Sequence, residues 1–167
     1  MAMKISATFD YTATPHQVFA MLADTEFQNL KCIATGALSH SVSVSTQGDR
    51  TVIVSNRDMP TDGFPDFVKS MVGATLAVTE TQDWGPPSPD GGRQGTITVD
   101  LGGAPLDLVG ILSLAPAGRG SLESVDADLK ARILLIGGRI EKAAAPAIES
   151  AISAERETGQ AWLRKAK

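Results

Sequence analysis

The sequence predicts an α+β fold in which a curved, seven-stranded antiparallel sheet wraps one long C-terminal helix, with two short helices after the first strand. Three observations carry this expectation. Apolar residues alternate with a period of two through most of the chain, the mark of half-buried strands. From Gly137 to the end the period becomes helical. At about 100° per residue, Ile140, Ala144, Ile148, Ala151, Glu155, Gly159 and Trp162 share one stripe, opposite Lys142, Glu149, Ser153, Arg156, Gln160 and Arg164. That stripe is also thinly filled, with alanines, a glycine and a glutamate where Leu or Phe would plug a core. A thin stripe inside a curved sheet leaves a hollow, and a hollow suits a ligand.

The elements follow in order. Ile5, Ala7, Phe9 and Tyr11 alternate with Ser6, Thr8 and Asp10 in a first strand over 4–11. Thr14, Pro15 and Gln17 then form a helix start, with Thr as N-cap, Pro at the first helical position and Gln closing the capping box. Val18, Phe19 and Leu22 make its inward edge. Asp24 caps a second short helix, whose Phe27, Leu30 and Ile33 recur at three-residue spacing. From Gly36 the period is two again: Leu38, His40, Val42 and Val44 share a face, and a turn at 47–50 leads to a strand over 51–58. Residues 59–74 interrupt the meander with a short helix opened by Pro65 and carrying Phe67, Val68 and Met71. Strands at 75–84, 94–101 and 105–115 follow, the first two separated by a Pro- and Gly-rich loop at 85–92 and the last two joined by Gly102 and Gly103. Gly118 and Gly120 turn the chain into the last strand, with Val125, Ala127, Leu129, Ala131 and Ile133 inward. The closing helix is expected from about Gly138 to Leu163 and beyond, with a kink at Pro146, which removes a backbone donor. With no long linker, internal repeat or low-complexity segment, residues 1–167 read as one domain.

Composition narrows the function. Net charge is −4, and no stretch concentrates Lys or Arg, which argues against nucleic-acid binding through phosphate neutralisation. Aromatics are only 5% of residues, so apolar volume comes mainly from aliphatic side chains. One cysteine, Cys32, excludes an internal disulfide and a cysteine-rich zinc site, and two histidines are too few for a multi-histidine metal site. There is no signal-like or membrane-spanning apolar run, so the expectation is a cytoplasmic monomer or homodimer without a cofactor. The Gly137-Gly138 pair lacks phosphate-loop spacing and reads as a tight junction into the helix.

Local runs add a resemblance. Ala-Thr-Pro-His-Gln-Val-Phe-Ala-Met-Leu-Ala-Asp (13–24) resembles the segment that opens many members of the START-like, or helix-grip (SRPBCC), superfamily, whose element order the chain also shares. The runs at 34–44, 60–67 and 137–142 resemble a bacterial START-like family of unassigned function. The resemblance implies a hydrophobic cavity between sheet and last helix and carries over no catalytic residue.

Ten residues are candidates for lining that cavity: Glu155, His40, Glu80, Trp84, Phe64, Phe67, Met71, Ile148, Ala151 and Trp162. Glu155 lies near the centre of the apolar stripe, where a carboxylate must meet a partner, water or a polar ligand group. It serves either as ligand anchor or in a structural pairing with an Arg or backbone amide. His40 is a neutral core histidine, a polar anchor in the cavity or, in an enzyme, a general base. Glu80 shares a face with Leu76, Val78, Gln82 and Trp84 unless a one-residue bulge turns it outward. Trp84 and Trp162 either line the cavity or pack the core. The 59–74 segment, with Phe64, Phe67 and Met71, is the natural lid. Two functions compete: a binding protein for a hydrophobic or lipid-like small molecule, and a cyclase- or hydratase-type enzyme using the same cavity. An interaction module with a filled core is a third reading.

Overall fold

The computed structural model describes residues 2–165. Its strands are β1 (Met3–Tyr11), β2 (Ser39–Gln47), β3 (Arg50–Pro60), β4 (Thr75–Trp84), β5 (Arg93–Asp100), β6 (Leu106–Ala117) and β7 (Gly120–Ala131). Its helices are α1 (Pro15–Leu22), α2 (Thr25–Ala34), α3 (Asp66–Val72) and α4 (Gly137–Lys165). The expected continuation of α4 over residues 166 and 167 lies outside the described residues. The strands form one antiparallel sheet in the order β1-β7-β6-β5-β4-β3-β2, which grips α4. The fold is thus the predicted α+β helix-grip.

Cross-strand register sets the inner face. Phe9 opposes Glu123, Ala7 opposes Val125 and Ile5 opposes Ala127; Arg57 opposes Val78 and Ser55 opposes Glu80. Period-two alternation therefore points these side chains toward α4. The edge strand β1 is covered by that helix. Arg156 donates to the Thr8 carbonyl at 3.1 and 3.2 Å, and Gln160 donates to the Asp10 carbonyl at 3.3 Å. Those bonds occupy backbone groups that would otherwise template another strand. The α1 capping box forms as its sequence predicts, with Gln17 N–H donating to Thr14 Oγ1 and Thr14 N–H donating to Gln17 Oε1.

Three local expectations are corrected. α2 is rotated: Leu30 and Ile33 are 44% and 59% exposed, while Phe27, Gln28, Lys31 and Cys32 are buried. The buried set follows four-residue spacing, the helix neighbour distance that the three-residue reading passed over. The junction into α4 turns at Leu135, at a φ of 73°, rather than at the glycines, which already belong to the helix. Ile133 lies beyond β7 and packs against the core from the connecting segment.

Candidate functional site

Between the inner sheet face and α4 lies a cavity of about 190 Å³, room for about six waters at their liquid volume of about 30 Å³ each. Its sheet walls are apolar: Ile5 and Phe9 from β1, Leu76 and Val78 from β4, Ile97 and Val99 from β5, Leu106 and Leu108 from β6, Val125 and Ala127 from β7. α4 presents Ile140, Ala144, Ala147, Ile148, Ala151, Ile152 and Glu155. The alanines leave the space open because a methyl group reaches only a short way toward the sheet. Met59, Pro60, Phe64, Val68 and Val72, from the end of β3 and the α3 segment, complete the apolar lining.

A charged cluster also faces this space. Lys31 on α2 extends its ammonium between two carboxylates, 3.4 Å from Glu80 Oε1 and 3.8 Å from Glu155 Oε1. Arg57 Nη2 lies 3.4 Å from Glu80 Oε2, and Nη1 donates to Thr35 Oγ1 at 3.2 Å. Gln82 Nε2 donates to Glu80 Oε1 at 2.8 Å, and Gln82 Oε1 accepts from Trp84 Nε1 at 2.9 Å. The β4 row is thus a relay in which each inward residue orients the next, and no bulge interrupts it.

These surroundings separate the three carboxyl groups. Burial alone would raise the Glu80 pKa, but Lys31 and Arg57 outweigh it and hold the group at about 2. Burial raises Glu155 above its ordinary value; Lys31 opposes the rise and Glu80 adds to it. The split follows distance and number of partners, because Lys31 sits nearer Glu80, which also has Arg57 and Gln82. Glu123 on β7 is pushed up to about 8, by burial first and then, against the pull of Lys31, by Glu155 and Glu80. Burial of Lys31 disfavours its charge, yet Glu155 and Glu80 more than compensate and raise its pKa. Tyr11, which also lines the cavity, is raised by burial and by Glu123 and Glu155. Among the described residues three buried side-chain atoms have no hydrogen-bond partner: Gln28 Oε1, Arg57 Nε and Glu123 Oε1. The last two belong to cavity-lining residues.

Of the ten sequence candidates, Glu155, Glu80, Phe64, Ile148 and Ala151 line the cavity. His40 sits in a shallow depression with Ser39, Asn56 and Thr79, because β2 is an edge strand at the far side of the sheet from β1. Trp84 is fully buried in packing, its ring edge-on to Phe19 at 5.8 Å. Trp162 packs edge-on to Phe27 at 5.6 Å, and Phe67 lies beneath the Arg139 guanidinium at 4.7 Å. Met71 is exposed. Gly159 is not open space either, since the Tyr11 ring lies against it.

Lys31, Arg57 and Glu123 were not among the candidates. Glu123 had a signal: the inward row Val125, Ala127, Leu129, continued backward by twos, reaches it. Lys31 follows Phe27 at helical four-residue spacing. Cys32 is fully buried and its thiol pKa is raised, chiefly by burial, so it offers no nucleophile. Among the described residues no three His, Cys, Asp or Glu side chains are grouped to hold a metal ion, and no helix is long and apolar enough to cross a membrane.

The profile of a family described as "Protein of unknown function (DUF2505)" matches residues 6–163. The chain belongs to this family. No curated relative matches this family member. Its fold is similar to that of Zhui aromatase/cyclase from Streptomyces sp. R1128 (10% identity, TM-score 0.62, 99% of this chain and 98% of that one). It is similar also to norcoclaurine synthase from Thalictrum flavum (10%, 0.59, 98% and 87%) and to a START superfamily protein from Mycobacterium smegmatis (14%, 0.55, 92% and 94%). These likenesses establish the START-like fold of this DUF2505 protein.

Proposed function

We propose that the protein binds a hydrophobic or lipid-like small molecule in the cavity between sheet and α4, with 59–74 as its lid. One observation carries the reading: an apolar space is kept open by Ala144, Ala147 and Ala151 while charged side chains are folded into its wall. A space kept for packing alone would be filled by larger aliphatic residues, because interiors pack densely. An apolar pocket with a few fixed polar groups is the usual form of a small-molecule site. The test has two arms. Native mass spectrometry of the purified protein should find a co-purifying small molecule. Ala151→Trp should abolish uptake of an apolar dye such as diphenylhexatriene while leaving the far-ultraviolet dichroism unchanged. Dye uptake equal in the two proteins, or absent in the wild type, would refute the cavity as the site.

A cyclase- or hydratase-type enzyme is the second reading. It is favoured by the meeting of Glu80 and Glu155 at Lys31 and by a neutral carboxyl at Glu123, since acid/base chemistry needs titratable groups with separated pKa values. An enzyme would turn over the molecule that mass spectrometry identifies; a carrier would return it unchanged.

A further inference from the structure

We propose that Glu123 is the anchor for a carbonyl oxygen on an otherwise apolar, uncharged ligand, which assigns the ligand class of the cavity proposed above and rests on that reading. Every other acidic or basic group lining the cavity has a partner. Glu80 is held by Lys31, Arg57 and Gln82, Lys31 by Glu80 and Glu155, and Arg57 by Glu80 and Thr35. Glu123 differs. It is 3% exposed, lines the cavity, takes part in no ion pair among the described residues, and its Oε1 has no hydrogen-bond partner there. β7 lies between β1 and β6, and the register places Phe9 and Leu114 on either side of Glu123, so neither flanking residue in the sheet offers its carboxyl a side-chain hydrogen bond.

The charged and titratable groups around it are Lys31, Glu155, Glu80 and the Tyr11 hydroxyl. Lys31 is occupied by the other two carboxylates, which themselves repel a charge on Glu123. The group therefore keeps its proton at neutral pH, in line with a pKa near 8. A buried neutral carboxyl is a strong donor, and leaving it unmatched is costly. A ketone, aldehyde or ester oxygen satisfies it without bringing charge into an apolar space. An ammonium group would instead take up the carboxylate form, and an anionic head would find the two cations already engaged.

The test uses Prodan, an uncharged naphthyl ketone whose emission moves to the red when its carbonyl accepts a hydrogen bond. Diphenylhexatriene, which has no polar atom, is the reference for the cavity. Wild-type protein and Glu123→Gln, which keeps a donor, should bind Prodan within about threefold of each other, and Glu123→Leu about tenfold more weakly with bluer bound emission. Diphenylhexatriene should bind all three alike. Raising the pH through about 8 should weaken Prodan binding to the wild type but not to Glu123→Gln. Equal Prodan affinity and emission in the wild type and Glu123→Leu would overturn the assignment while leaving the cavity standing. So would tighter binding of naphthylmethylamine that Glu123→Gln abolishes, because that marks a carboxylate–ammonium site. If Glu123→Leu lacks a cooperative melt, the pH profiles of wild type and Glu123→Gln decide alone, and matching profiles overturn the proposal. Failure of diphenylhexatriene to bind any form would remove the cavity reading and this assignment together.

Discussion

Glu123 and Glu80 respond to pH in opposite senses. The folded protein holds a proton on Glu123 up to about pH 8, whereas the unfolded chain releases it near the ordinary value of 4.5. Between those values the folded state binds more protons, so this group lowers stability as pH rises through the window. Glu123→Gln should remove that slope: its melting temperature should pull ahead of the wild type between about pH 5 and 8, by roughly 2–4 °C for each kcal/mol recovered. Matching melting curves across the window would contradict this. Glu80, held at about 2, stabilises above 4.5 and loses that contribution as pH falls toward 2. Lys31 is the hub of the cluster. Lys31→Met removes the Glu155 ion-pair partner and leaves Glu80 paired with Arg57 alone, and should cost on the order of 3 kcal/mol in a denaturant melt. Glu155→Gln should cost less than about 1 kcal/mol, because Lys31 keeps its closer partner Glu80. Equal losses from the two substitutions would show that Glu155 is as much a structural partner as Lys31.

At the scale of elements, α4 does two jobs along one stripe. From Ile140 to Glu155 it leaves space; from Gly159 to Leu163 it packs closely. A Cβ added at Gly159 would stand 2.8 Å from Tyr11 Oη and 3.0 Å from its ring. Gly159→Ala gains about 1 kcal/mol of helix propensity but must displace a ring braced against Phe9, and we expect a net loss of about 1–2 kcal/mol in chemical denaturation. A stabilised variant would show that the Tyr11 ring yields. The stripe was legible from its period, and so was its thinness. Its division into an open and a closed part was not, because Tyr11 and Phe27 fill the closed part from other elements. The rotation of α2 was missed for a related reason: Leu30 and Ile33 look more buried than Lys31 by hydropathy, and only the carboxylates of β4 and α4 make a buried lysine there tolerable.

For the whole molecule, a cavity ligand should stabilise the fold by mass action. At a free concentration about a hundred times its Kd, Prodan should add about 2.7 kcal/mol, visible as a melting-temperature rise of roughly 5–10 °C. Ala151→Trp, with the space filled, should show no rise. A wild-type melting temperature unchanged by saturating ligand would mean that the unfolded chain binds as well as the folded one.

The sequence by itself determined the element order, the inward parity of β1, β2, β4 and β7, and the long closing helix with its short side chains. These are local properties, written in periods of two and 3.6 and in caps such as Thr14 and Asp24. Tertiary structure alone decided which charges meet. Lys31, Arg57, Glu80, Glu123 and Glu155 come from α2, β3, β4, β7 and α4, and no spacing along the chain relates them. Their convergence depends on the strand order, on the rotation of α2 about its axis and on the depth at which α4 sits in the sheet. Tertiary structure also placed His40 on an edge strand and Trp84 in solid core, although both carry the inward parity that the alternation assigns them. Parity tells a side chain which face of the sheet to occupy; distance from the helix axis decides whether that face meets the cavity, the core or solvent.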